Sequence, residues 1–158
     1  MEKNKTNAMR ILDKHKITYE SFFYESDGAI DGVSVANKIG FAVEQVYKTL
    51  VLMGNDNNYY VAVIPVAKEL DLKKLSKACG VKKVEMIPVA KINSVTGYIR
   101  GGCSPIGMKK DYPLQIDQSA QVLDEIIVSG GKIGVQIKIK VEDIAKIRNA
   151  SFSDLLKE

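Results

Sequence analysis

Histidine is nearly absent from this chain: His15 is the only one in 158 residues. That scarcity removes the usual Ser-His-Asp and Cys-His nucleophilic arrangements and the histidine-rich zinc sites, because each needs an imidazole beside other placed groups. His15 stands among lysines at the end of a predicted helix, where a solvated surface role suits it better than that of base or ligand. Cysteine is almost as scarce. Cys79 and Cys103 form no CxxC pair, so they read as two reduced thiols, and no metal site is visible. Long apolar runs are missing too. The longest, such as Tyr59 to Ala67, are far below the ~20 residues of a membrane-spanning helix, and the lysine-rich start lacks the apolar stretch of a signal peptide. A cytoplasmic protein without membrane attachment is expected.

What is present describes an ordinary globule. Hydrophobic residues at 46% with 27% charged are enough for one domain with a real core. The 23 basic residues exceed the 19 acidic ones by four, so an anionic partner is implied only where the excess is concentrated. One such place is Lys73, Lys74, Lys77, Lys82 and Lys83. They read either as a patch tracking an RNA backbone or as a solvated face, with Lys109 and Lys110 extending the patch if the fold brings them close.

Along the chain, Thr6 caps a helix running to about Lys14, and Ile17 to Tyr24 reads as a strand followed by a loop over 25–32. Val33, Ala36 and Ile39 share the face of a short helix stopped by Gly40, with one more turn at Val43 to Val46. Val46 to Met53 is a strand that carries Lys48 on the face of Leu50 and Leu52. A lysine there either snorkels past the sheet edge or points into a partly buried cleft. Gly54 to Asn58 is a turn, and Tyr59 to Val66 the hairpin partner. Asp71 caps a helix ended by Gly80, and Pro88 to Val95 forms another short one.

Strands are expected at Leu114 to Asp117, Glu125 to Val128 and Ile133 to Lys140, the last with Gly134, Gln136, Lys138 and Lys140 outward. A helix begins at Val141, and Ser153 caps a last turn holding Leu155 and Leu156. The fold class is α+β: a single domain over residues 1–158, with a curved, mixed, mostly antiparallel sheet surrounded by helices.

The stretch from Gly97 to Lys110 concentrates four glycines, a proline and three basic residues in fourteen positions. It is the candidate working loop, because paired glycines let a ligand approach the main chain. It is not a phosphate loop of the nucleotide-binding kind, since Met108 separates Gly107 from the lysines. Cys103 lies in the loop without a histidine to activate it and reads as a packing residue.

Taken together, Gln45-Val46-Tyr47-Lys48-Thr49-Leu50, Pro65-Val66-Ala67, Leu70-Asp71-Leu72-Lys73-Lys74, Lys82-Lys83-Val84-Glu85-Met86, Thr96-Gly97-Tyr98, the run Gly101 to Lys110 and Val128-Ser129-Gly130-Gly131 resemble the YbaK/EbsC family. The resemblance covers nearly the whole chain. Members are stand-alone relatives of the editing domain inserted in bacterial prolyl-tRNA synthetase, and the YbaK branch removes cysteine wrongly esterified to proline tRNA. The resemblance implies that Lys48 and the Gly101 backbone are the principal catalytic groups. It further implies that Tyr24, Ile30, Thr49, Gly102, Ser104, Ser129 and Gln136 contact the substrate. No cofactor or metal is implied; the partners are aminoacyl-tRNA for proline and, transiently, prolyl-tRNA synthetase.

Two departures bear on specificity. Gln136 stands where the YbaK branch often has aspartate, and Ile30 is the nearest apolar substitute for an aromatic in a shortened loop. For the cysteinyl ester, the substrate's own thiol is the implied attacker, which suits a chain without histidine-based machinery. The competing expectations are a deacylase for alanyl-tRNA for proline and a non-catalytic tRNA-binding module of the same fold.

Overall fold

The mixed sheet expected from the sequence is present as two hydrogen-bonded parts in the computed structural model, which describes residues 5–25 and 31–158. The first half of the described chain runs α1 (Asn7–Lys14), β1 (Tyr19–Phe23), α2 (Gly32–Ile39), β2 (Tyr47–Gly54), β3 (Tyr59–Pro65) and α3 (Leu72–Cys79). The second runs β4 (Val84–Met86), α4 (Ile92–Thr96), β5 (Leu114–Asp117), β6 (Glu125–Ser129), β7 (Val135–Lys140), α5 (Val141–Arg148) and β8 (Ser151–Ser153). Short 3-10 turns precede β2, α4 and β6.

The helices start and stop where side chains answer the free ends of the backbone. Thr6 accepts a hydrogen bond from the Met9 amide, Asp31 from Ser34 and Asp71 from Lys74. Gly40 and Gly80 end α2 and α3 in the left-handed conformation. Most of the loop expected over 25–32 lies outside the described residues, and α2 opens one residue before its first apolar position.

β1, β7 and β6 form an antiparallel sheet in that order, and β4-β2-β3-β5-β8 form the larger one, with β5 parallel to both β3 and β8. A single parallel bridge between Val46 and Ile127 joins the two. The main core lies between them: Val51 and Val63 from one sheet meet Val128 and Ile137 from the other, closed by Leu12 of α1 and Ile144 of α5. α3 covers the opposite face of the larger sheet through Leu75.

Two expectations are corrected. The outward face of β7 is not open at Gln136. α2 and the segment after it cover that side through Ala36 and Phe41, which pack with Ile127, and Gln136 is only 6% exposed. The last turn capped by Ser153 is instead the edge strand β8, because pairing with β5 satisfies the main chain of 151–153 and Asp117 accepts from the Leu155 amide. No helix among the described residues is long and apolar enough to cross a membrane.

Candidate active site

The site exists because β4 is short. It pairs with β2 only opposite Leu52, Met53 and Gly54, and one further bond runs from the Ile87 amide to the Val51 carbonyl at 3.3 Å. Pro88 then turns the chain away. The first half of β2 is left with an open edge. The hydrogen bonds from the Gly54 amide to Asn58 and from the Val66 amide to Val46 fix the alternation, so Lys48 and Leu50 direct their main-chain groups at β3. Thr49 therefore directs its own N–H and C=O at the open edge.

Across that edge lie the loop around Gly101 and the paired residues Ser129 and Gln136 of β6 and β7. The space between is a cavity of about 870 Å³, within the usual size of a small-molecule site. It wraps around the strand. On the α3 side Lys48, Leu50 and Met86 share one sheet face, and on the core side Thr49, Val51 and Ile87 share the other.

Lys48 takes the cleft rather than the snorkelling alternative. It is half-buried on the cavity wall, and its ammonium makes no hydrogen bond or ion pair with any described residue. Burial pushes its pKa down, with Glu69 partly opposing. The Thr49 hydroxyl is buried without a partner. Ser129 accepts from the Gly131 amide at 3.2 Å, which leaves its hydroxyl proton free to donate. The Gln136 amide, almost wholly buried on the cavity wall, has no hydrogen bond to a described residue. Buried polar groups without partners are uncommon, and the pair at Thr49 and Gln136, with the half-buried Lys48 ammonium beside them, marks a place where a ligand supplies the missing bonds.

The loop is a built object. The Gly102 amide donates to the Ile99 carbonyl at 2.9 Å, and Gly101 stands at φ +86°, a conformation open to glycine. A side chain on Gly102 would meet the Lys132 backbone at 2.8 Å. The Ser104 hydroxyl accepts from Ile106 N–H, and Tyr98 donates to the Ile106 carbonyl. Arg148 holds the Pro105 carbonyl at 2.8 Å.

Of the residues implied by the resemblance, Lys48, Thr49, Gly101, Ser129 and Gln136 line the cavity together. Gly102 and Ser104 do not. Both are buried, and each is engaged in holding the loop. Tyr24 stays off the wall, on the sheet face of Gln136 opposite Gly134, with its hydroxyl buried and unpartnered. Ile30 lies outside the described residues. Asp31, Met86, Val89 and Arg100 also line the cavity and were not singled out as site residues. Arg100 adjoins Gly101 in the glycine-rich stretch, and that adjacency was the available signal; short and exposed positions such as Met86 and Val89 carry none.

Cys103 reaches the cavity wall, but burial pushes its thiol up to about 11, with the neighbouring Thr96 only partly opposing. A thiol held protonated is a poor nucleophile. No group of three or more His, Cys, Asp or Glu suited to a metal ion occurs among the described residues. Two lysines of the candidate basic patch are engaged: Lys74 is bonded to Asp154 and the Leu156 carbonyl, and Lys109 to the Ser94 carbonyl.

Comparison with known proteins gives the same direction from independent positions. The chain is 47% identical over 152 residues to a protein of Enterococcus faecalis provisionally named Cys-tRNA(Pro)/Cys-tRNA(Cys) deacylase EbsC, covering 96% of this chain and 93% of that one. It is 30% identical over 91 residues to a proline–tRNA ligase of Brachyspira hyodysenteriae, covering 58% of this chain and 16% of the ligase. The fold matches a crystal structure described provisionally as a trans-editing enzyme for prolyl tRNA synthetase, with a TM-score of 0.83, 20% identity and coverage of 98% and 99%. Residues 30–147, which hold the open edge of β2, the glycine loop and the Ser129–Gln136 pair, match the family described as the aminoacyl-tRNA editing domain, and the chain belongs to that family.

Proposed function

We propose that this protein is a trans-editing deacylase that removes cysteine from mischarged proline tRNA. The observation that carries the reading is the unpaired Lys48 ammonium beside the unpartnered Thr49 hydroxyl at the open edge of β2, in a family that edits aminoacyl-tRNA. The name borne by the relative from Enterococcus faecalis supports the cysteinyl substrate.

An aminoacyl-tRNA is an activated ester, so the protein needs to orient it rather than attack it. In this reading Lys48 anchors the terminal nucleotide near its ester junction, and the Gly101 backbone with the Thr49 edge orients the aminoacyl group. The substrate sulfur attacks its own ester carbonyl as the thiol proton is lost to water. The carbon–sulfur bond forms, the bond to the ribose oxygen breaks, and that oxygen takes up a proton. Free tRNA and a cyclic thiolactone result, and water then opens the thiolactone to cysteine. Removing one preorganised contact such as Lys48 should cost about 3 kcal/mol of transition-state stabilisation, roughly a hundredfold in rate. The whole chain serves as the editing unit, acting in the cytoplasm where charged tRNA is found, in a transient complex with prolyl-tRNA synthetase.

The test is amino-acid release from cysteinyl- and alanyl-tRNA for proline by the wild type and by a folded Lys48→Ala variant. Cysteine-selective release that the variant loses is the expected result. Release from the alanyl ester alone moves the protein to the other editing specificity, and tRNA binding without release on either ester makes it a non-catalytic module.

A further inference from the structure

The cavity has a floor and a mouth, and they differ in chemistry. Its floor is formed by residues almost closed to solvent, among them Val46, Ser129 and Gln136. Its mouth carries Met86, 49% exposed, and Val89, 58% exposed, with the exposed guanidinium of Arg100. Arg100 makes no hydrogen bond or ion pair with a described residue.

Exposed apolar side chains at the mouth of a cavity offer contact area to the apolar part of a ligand. Register places Met86 directly opposite Leu52, on the same sheet face as Leu50 and Lys48. An apolar strip therefore leads outward from the half-buried ammonium, Leu50 and then Met86, and Val89 adds a further apolar side chain to the cavity lining. The polar groups that lack partners lie on the other side of the β2 edge, at Thr49, or on the floor, at Gln136. A ligand that uses both has a polar end for Thr49 and Gln136 and an apolar end for Leu50 and Met86, and the unpaired Arg100 guanidinium suits an anionic group on it.

We infer that the strip Leu50–Met86–Val89 with Arg100 is a subsite for the terminal nucleoside monophosphate of the tRNA, the base lying on Met86 and Val89 and the phosphate meeting Arg100. The inference rests on the proposed deacylase reading and deepens it, since the aminoacyl end then fills the floor and the ester falls beside Lys48. A thioether against a flat aromatic base is a favourable contact, and a guanidinium presents a fork of donors to a phosphate.

The experiment compares Met86→Ala, Val89→Ala and Arg100→Gln with the wild type on cysteinyl-tRNA and on cysteine methyl ester, which has no nucleotide. All three positions are exposed, and unchanged thermal unfolding verifies their fold. On cysteinyl-tRNA each variant should raise KM about tenfold, the loss of ~1.4 kcal/mol of binding, with kcat within about twofold. On the methyl ester the variants should match the wild type. Adenosine monophosphate should compete with cysteinyl-tRNA; Arg100→Gln should weaken that competition while leaving competition by adenosine intact, and Met86→Ala should weaken both.

Equal losses on the methyl ester, an unchanged KM for cysteinyl-tRNA, or failure of adenosine monophosphate to compete would each overturn the subsite. If the wild type releases no amino acid yet calorimetry detects adenosine monophosphate binding that these variants lose, the subsite stands and the deacylase reading fails.

Discussion

Arg148, in the last turn of α5, donates from Nε to the Pro105 carbonyl at 2.8 Å and from Nη2 to the Tyr112 carbonyl at 2.8 Å, so one buried side chain ties both ends of the segment that follows the glycine pair. Asp111 stands 3.7 Å from the same guanidinium. Replacing Arg148 with Met removes both bonds and leaves the carbonyls dry, at roughly 2–4 kcal/mol. The expected result is a lower midpoint in urea and a lower kcat for deacylation. Arg148→Lys, a point donor without the planar fork, should recover only part of either.

Lys48→Met should separate activity from stability. Burial places the folded pKa of Lys48 below the 10.5 of a free lysine, so charging it opposes folding at every pH below the folded value. The opposition fades as pH rises from the folded value toward 10.5. At pH 7 the variant should therefore unfold at a higher temperature than the wild type, each 1 kcal/mol of relief giving about 2–4 °C. It should also lose deacylation. Thermal unfolding across pH checks the sign: the gap between the two proteins should shrink in alkaline buffer, and a variant less stable at pH 7 would mean that Lys48 has a stabilising partner.

Cys103→Ala should keep its activity. With its thiol pushed up to about 11, Cys103 stays protonated near neutral pH and should react slowly with iodoacetamide in the native protein. Deacylation by the variant should lie within about threefold of the wild type. A loss of about a hundredfold in a folded variant, some 2.7 kcal/mol, would make Cys103 the nucleophile.

Gly102→Ala should damage both fold and rate, since the added methyl meets the Lys132 Cα at 2.8 Å and the Ile133 amide nitrogen at 3.0 Å. Those are backbone atoms and cannot turn aside. The cost expected from overpacking is about 1–3 kcal/mol. Calorimetry measures it, and an unchanged Tm would show that the loop is free to lift from the β6–β7 turn.

The helices were legible because their signals are local. Thr6, Asp71, Gly40 and Gly80 act within one turn of where they stand, and the structure uses them as caps. The β2–β3 hairpin was legible for the same reason: Asp56 takes the Asn58 amide and the Tyr60 hydroxyl inside the turn. β4 and β8 were not, since three residues are too few to show an alternation and each is defined by a distant partner.

The cavity divides along the same line. Lys48 stood out as the charge in an apolar strand, and Gly101 as part of a glycine cluster. Gln136 read as outward because alternation along β7 cannot reveal that α2 and Phe41 will cover that face. Ser104 sat in a suggestive block, yet its hydroxyl is engaged with Ile106, a local bond that no spacing rule foretells. Met86 and Val89 became visible only once the end of β4 was known.

The pairing of β1 with β7 has a consequence for how the protein is made. Tyr19 must wait for Ile139, and Phe23 for Val135, more than a hundred residues later in synthesis. The β2–β3 hairpin, by contrast, closes within one short turn and is available early. Lys48 and Thr49 are therefore in place long before Ser129 and Gln136 exist to face them. A nascent chain halted before the 130s carries half a cleft, so the complete cleft waits until β6 and β7 have both been made.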